Sequence, residues 1–230
     1  LLNLVRKVMP ESIIVLGGPE VSFTVEAAFN ECPDADFIVQ GEGEEVFASL
    51  LDDLENGRKV ASKNIAWRDK DGGIQNAGNL AVVGELAVLP FPYDDINSFK
   101  ELHKIAYYES TRGCPFSCSY CLSGISHYIR RKPLAKVLKE LDKFIEADVP
   151  LVKFVDRTYN LGEDYYLPIM QHLANRETKT LFHFEIKADL LSQNVLNFLK
   201  TVPKGRFQFE IGVQTTNQET LKAIGRQDDW

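Results

Sequence analysis

Three of the four cysteines in this 230-residue chain fall within one short stretch, CPFSCSYC, as Cys114, Cys118 and Cys121. The spacing is C-x₃-C-x₂-C. Gly113 permits a sharp turn into the stretch, and Pro115 stiffens the path between the first two cysteines. Such a loop can place thiolates on separate corners of a small metal cluster. Iron–sulfur clusters are commonly held by four thiolates. Three would leave one iron of a four-iron cubane open to a substrate or cofactor, and an open position is what a metal needs in order to do chemistry. A structural zinc site is the competing reading, with His127 or Cys32 as the fourth ligand. A histidine six residues past the last cysteine is not a usual zinc-ribbon spacing, and Cys32, in ECPD, reads as an ordinary thiol. An electron-transfer iron–sulfur module is a third reading.

The cysteine stretch follows one of four short strands predicted at 105–110, 151–156, 181–187 and 206–214. Between the first two strands, Leu134, Val137, Leu138, Leu141, Phe144 and Ile145 recur at helical spacing and give a face that can cover a sheet. Further helices are predicted near 163–175 and 193–200. In the last helix, Thr216 as N-cap and Glu219 three residues on form a capping box, and Gly225 ends it. Four β/α units with no antiparallel signal predict a parallel sheet or part of a barrel. Ligands of such folds bind at the carboxyl ends of the strands. That edge would carry Glu109–Arg112 with the cysteine loop, Asp156 and Asn160, Glu185 and Lys187, and Glu210 and Gln214. Arg130, Arg131 and Lys132, just before a helix, would welcome an anion there.

Residues 1–57 show the same rhythm on a smaller scale. Two apolar strands, in SIIVLGG and DFIVQGEGEEVF, each turn through glycines into a helix. Residues 58–104 break the pattern, with a hairpin turning at Asp71-Gly72-Gly73 and a proline-punctuated linker. Three segments are therefore expected: 1–57, 58–104 and 105–230. The chain opens at Leu1 inside an amphipathic pattern and ends after a helix, which reads as a piece of a longer protein. Composition is that of a globular protein, 44% hydrophobic and 26% charged. A net charge of −7 argues against broad nucleic-acid binding. No apolar run approaches a membrane span. Four unevenly spaced cysteines make no disulfide framework, so a reducing, cytoplasmic setting is expected.

CPFSCSYC, with Tyr120 in the aromatic slot, and the surrounding YESTRGCPFSCSYCLS resemble the C-x₃-C-x-aromatic-C signature of radical S-adenosylmethionine (radical SAM) enzymes. The resemblance implies a partial parallel (β/α) barrel, four of whose six units lie in 105–230. It implies that Cys114, Cys118 and Cys121 hold a [4Fe-4S] cluster whose fourth iron chelates S-adenosylmethionine. One-electron reduction would then give methionine and a 5′-deoxyadenosyl radical that takes hydrogen from a substrate. An external electron donor such as flavodoxin or ferredoxin is implied with it. Cofactor contacts carried over are Tyr120, Asp156 (to the amino group), Glu185 (to ribose hydroxyls), Lys187 (to the carboxylate), Glu210 and Gln214 (to adenine or ribose). The Gly-Gly-Glu motif that many members carry near the second strand is absent. Structural alternatives are an N-cap or an Arg157 pair for Asp156, a surface ion pair for Glu185 and Lys187, and a polar pair inside the barrel for Glu210 and Gln214.

IVLGGPEVS and DFIVQGEGEEVF resemble the last two units of a doubly wound, flavodoxin-like cobalamin-binding domain, with Gly17, Gly18, Gly41 and Gly43 as contacts. The Asp-x-His-x-x-Gly motif that supplies an axial histidine is not in the chain. The resemblance thus implies cobalamin in a full-length parent rather than in this chain alone. Neither half shows its full set of strands, so open sheet edges are expected to favour self-association.

Overall fold

The computed structural model describes residues 1–69, 71–75, 78, 80–122 and 128–226. The chain divides into two compact units, Leu1–Gly84 and Glu85–Trp230.

The first unit runs α1 (Leu2–Val8), β1 (Val15–Leu16), α2 (Pro19–Ser22), α3 (Val25–Glu31), β2 (Phe37–Val39), α4 (Gly43–Glu55), β3 (Ile65–Arg68) and β4 (Ile74–Gln75). Strands β1 and β2 pair in parallel, as all-apolar strands joined by helices must. The hairpin β3–β4 then joins the same sheet antiparallel to β2, so this sheet is mixed. Burial explains why: Ile65 and Ala66 are fully inaccessible, and Ala66 shares a core with Phe29 and Ile38. The hairpin turn is drawn tight by Asp69, whose carboxylate accepts from the amides of Asp71 and Gly73 at 3.0 and 2.7 Å. Gly41 is required where β2 ends. It has φ +85°, and a Cβ there would sit 2.5 Å from the carbonyl oxygen of Ala81.

In the second unit come α5 (Ser98–Glu101), β5 (Ile105–Tyr108), β6 (Thr111–Arg112), β7 (Arg130–Arg131), α6 (Leu134–Glu146), β8 (Leu151–Phe154), α7 (Glu163–Asn175), β9 (Leu181–Ile186), α8 (Gln193–Leu199), β10 (Phe207–Ile211) and α9 (Gln218–Ala223). Its main sheet has the order β10-β9-β8-β5, wholly parallel. Strand neighbours follow chain order, which is barrel winding rather than double winding. Alternation puts Ala106, Tyr108, Val152, Phe154, Phe182 and Phe184 into one core with Val137, Leu141 and Phe144 of α6 and Ile169 and Leu173 of α7. Tyr107, Lys153, His183, Glu185, Gln208 and Glu210 take the opposite face by the same period.

Three details differ from the sequence reading. An antiparallel pair, β6 with β7, does occur, two residues on each side. It is too short to leave a periodic trace. The cap of α9 is Asn217, whose side chain accepts from the Thr220 amide at 2.9 Å, one residue beyond the expected Thr216. Finally, the free edge of β5 is not bare. The Tyr93 hydroxyl accepts from the Tyr107 amide and donates to its carbonyl, both at 2.7 Å.

Candidate metal and cofactor site

The cysteine loop leaves the carboxyl edge of the parallel sheet between β6 and β7, whose pairing pinches its base. Asp156, at the end of β8, fixes that base from the neighbouring strand. Its carboxylate accepts from the Ser110 amide at 3.0 Å and hydroxyl at 2.6 Å, and from the Thr111 amide and hydroxyl at 2.6 Å each. Asp156 and Ser110 are both fully inaccessible. Burial pushes the Asp156 carboxyl up to about 6, against the pull of these four donors. Beside it, the Tyr165 hydroxyl lies 2.8 Å from the Lys132 carbonyl and 3.2 Å from that of Ser110. Lys132 is itself buried, with its ammonium 3.1 Å from Glu140, which also accepts from the Tyr108 hydroxyl at 2.7 Å. The Tyr108 phenol is driven far above its ordinary range, first by burial and then by Glu140. Arg131 lies over the Tyr165 ring and donates to the Leu161 carbonyl. Lys132 is therefore paired inside the fold with Glu140, whereas Arg131 is exposed and rests on the Tyr165 ring.

The tip of the loop is held differently. The Ser119 amide donates to the Ile224 carbonyl at the end of α9, at 2.9 Å. Gly225 follows at φ +66°, and a Cβ on it would lie 2.9 Å from the Ser117 carbonyl oxygen, so only glycine permits this approach. Arg226 donates to the Tyr120 hydroxyl at 2.9 Å and to the Gly212 carbonyl, tying the loop to the end of β10. On the other side, the Lys187 ammonium lies 5.2 Å from the Phe116 ring centroid.

All four cysteines are free thiols. Cys114 is buried, with its sulfur 3.6 Å from the Thr158 hydroxyl, whereas Cys118 is half-buried and Cys121 exposed. The Cys121 amide donates to the Cys118 carbonyl at 3.0 Å, a turn that keeps the two together. Among the described residues, no three His, Cys, Asp or Glu side chains converge as they would around one metal ion. His127 lies outside the described residues, and Cys32 belongs to the first unit. Three free thiols on a loop with a fixed base, one buried, one half-buried and one exposed, are the donor types that a group taking three thiolates and leaving a face open would need.

The other expected contacts separate into two sets. Asp156 faces the base of the loop and makes neither the Arg157 pair nor an N-cap; the capping residue of α7 is Gly162. Lys187 is buried against the carboxylate of Asp189. Both are engaged by the chain's own groups. Tyr120, Glu185, Glu210 and Gln214 keep more exposure. Glu185 and Glu210 are register partners on β9 and β10, and Lys153 lies 3.4 Å from each. His183 Nε2 is 3.3 Å from Glu210. Gln214 is exposed and holds φ +61°. In the first unit, Gly17 and Gly18 follow β1, Gly41 follows β2, and Gly43 opens α4. Residues that the sequence reading passed over are Thr158, Lys153 and Arg226. Lys153 could have been found by period, since it shares a strand face with His183, Glu185 and Glu210; Thr158 left no signal.

Residues 108–230 match the radical SAM superfamily model. An uncharacterized methyltransferase of Pyrococcus horikoshii is 23% identical over 97% of this chain and 50% of its own length. The anaerobic magnesium-protoporphyrin IX monomethyl ester cyclase of Cereibacter sphaeroides is 30% identical over 76% of this chain and 30% of its own. Among solved structures, the cobalamin-dependent S-adenosylmethionine radical enzyme OxsB, with aqua-cobalamin and S-adenosylmethionine bound, superposes with a TM-score of 0.77 at 24% identity, over 97% of this chain and 34% of that one. The chain spans half or less of the length of these proteins. With more than half of its residues covered by the family model, the chain belongs to the radical SAM superfamily.

Proposed function

We propose that this chain is the cofactor-binding part of a radical SAM enzyme, in which Cys114, Cys118 and Cys121 hold a [4Fe-4S] cluster and S-adenosylmethionine binds at the carboxyl edge of the parallel sheet. The observation that carries the reading is the cysteine loop itself: three free thiols on a segment anchored to β8 at its base and to α9 at its tip. When bound, such a cluster supplies the electron that cleaves the sulfonium of S-adenosylmethionine and starts radical chemistry on the substrate. The chain's own residues bind and orient. Tyr120, Glu185, Glu210 and Gln214, which keep more exposure, would meet the nucleoside part of the cofactor. Asp156 and Lys187, the other two residues of the expected contact set, also brace the loop, through Ser110 and Thr111 and beside Phe116.

The relatives include methyltransferases and a cyclase, so the parent's reaction is proposed as methyl transfer or an oxidative ring-forming step on an organic substrate. An electron donor such as flavodoxin or ferredoxin would feed it. Gly17 and Gly18 after β1 and Gly43 at the opening of α4 are suited to the close approach of a nucleotide tail, Gly41 being filled on its Cβ side by Ala81, and the OxsB likeness, which includes a cobalamin complex, supports cobalamin in the parent. A cytoplasmic setting fits the free thiols. Among the described residues, no helix is long and apolar enough to cross a membrane.

Anaerobic reconstitution with iron and sulfide tests the reading. It should give about four irons and four sulfides per chain, and dithionite with S-adenosylmethionine should then release 5′-deoxyadenosine. Zinc retained without a visible chromophore would sink the cluster; a cluster that reduces but never cleaves the cofactor would point to electron transfer.

A further inference from the structure

Cys114 differs from a bare metal-binding cysteine because a hydroxyl stands against it. Thr158 Oγ1 lies 3.6 Å from the Cys114 sulfur and donates to its neighbour's carbonyl, that of Arg157, at 2.9 Å. The position of Thr158 is fixed on both sides. Two residues before it, Asp156 is locked by its four donors. One residue after it, the Tyr159 amide donates to the Glu185 carbonyl at 3.0 Å, and the Tyr159 ring packs against Phe154 and Phe184. Then Asn160 exchanges a pair of hydrogen bonds with the Lys187 backbone. The backbone on either side of Thr158 is thus anchored, with its hydroxyl beside the sulfur.

We propose that Thr158 is a positioning residue for the cluster, its hydroxyl donating to the Cys114 sulfur and raising the cluster's reduction potential. The inference rests on the proposed cluster. A free thiol carries its own proton and can donate to Thr158, leaving the hydroxyl bonded to Arg157. A metal-bound thiolate has no proton and can only accept. The threonine hydroxyl then turns from the Arg157 carbonyl to the sulfur. A donor at a ligating sulfur draws charge from it and favours the reduced cluster. Burial of Cys114 strengthens the effect, because little water competes for the sulfur.

The test uses the 230-residue chain, reconstituted anaerobically, as wild type, Thr158→Val and Thr158→Ser. Valine keeps the shape without the hydroxyl, and serine keeps the hydroxyl. Iron and sulfide content report on the cluster; a reductive titration followed by paramagnetic resonance reports on the inference. All three should load equally, with the valine midpoint displaced to more negative potential and the serine midpoint returned to wild type. A valine midpoint that coincides with wild type, or a serine midpoint that follows valine, overturns the inference and leaves the cluster standing. Failure of the wild type to load iron overturns the cluster and the inference together. Should valine alone fail to load while serine loads, the hydroxyl is shown to position the ligand; failure of both variants beside a loaded wild type overturns it.

Discussion

The two limbs of the cysteine loop are built on opposite principles. The leading limb, through Ser110 and Thr111 to Cys114, is buried and fixed by side chains from the next strand, Asp156 and Thr158. The trailing limb, through Ser117, Ser119 and Tyr120 to Cys121, is exposed and rests on α9 largely through backbone contacts. Side chains reach across a gap and are locked by packing; backbone contacts of this kind form only where two segments can slide close together. Cys114 is thus held by buried side chains, while Cys118 and Cys121 are held by an exposed limb whose anchors are the Ile224 carbonyl, Gly225 and Arg226.

The largest break in this comparison is the loss of a ligand. Cys118→Ala should abolish iron retention after reconstitution and desalting, since two thiolates cannot hold a cluster that three hold openly. Next comes the leading limb. Asp156→Asn turns an amide N–H₂ toward hydrogens that a carboxylate accepted, and should cost about 3 kcal/mol in urea unfolding, with amide exchange at Ser110 and Thr111 accelerated and iron loading reduced. A smaller cost, with those amides still protected, would show that the base is held by β6–β7 pairing alone.

The same carboxyl sharpens the contrast through pH. Because burial raises it to about 6 from 3.8, the folded chain holds a proton between those values that the unfolded chain has released. Its contribution to stability therefore grows as pH falls from 6 toward 3.8, the reverse of an ion-paired carboxylate. Relative to Asp156→Asn, the wild type should gain stability on moving from about pH 7 to about pH 4; parallel urea midpoints across that range would contradict the assignment. On the trailing limb, Gly225→Ala should cost only about 1–2 kcal/mol, read as a lower thermal midpoint and faster proteolysis at the tip, with Cys114 still protected from alkylation. The smallest effect belongs to Tyr120→Phe, about 0.5–1 kcal/mol from the lost Arg226 bond. A larger loss from Tyr120 than from Asp156 would invert the comparison.

The limbs were not equally legible in the sequence. CPFSCSYC declares its thiols by spacing, and β5, β8, β9 and β10 show as short strands rich in aromatic and β-branched residues, whose alternate positions face the core under the helices. The boundaries of β5 and β10 came out shorter than the runs suggested, at Ile105–Tyr108 and Phe207–Ile211, because polar residues at the carboxyl edge turn away to form the site. Asp156 was visible as a polar strand end, but a carboxylate that will accept backbone amides looks the same in one dimension as one that awaits a ligand. Lys187 was half hidden: its partner Asp189 stands two residues on, but Phe116 is brought beside it only by the fold. Period records which face a residue takes; it does not record what stands opposite.

The order β5, β8, β9, β10 across the parallel sheet also bears on synthesis. Each strand docks on the free side of the one made just before it, so the sheet can grow as the chain leaves the ribosome, without waiting for a distant partner. The growing edge is always the newest strand, while the oldest has its backbone closed by the Tyr93 hydroxyl, already made. A ribosome paused after β9 would leave Phe184 without Phe207 and Phe209, an aromatic surface that chaperones should recognise and that a further β/α unit conceals.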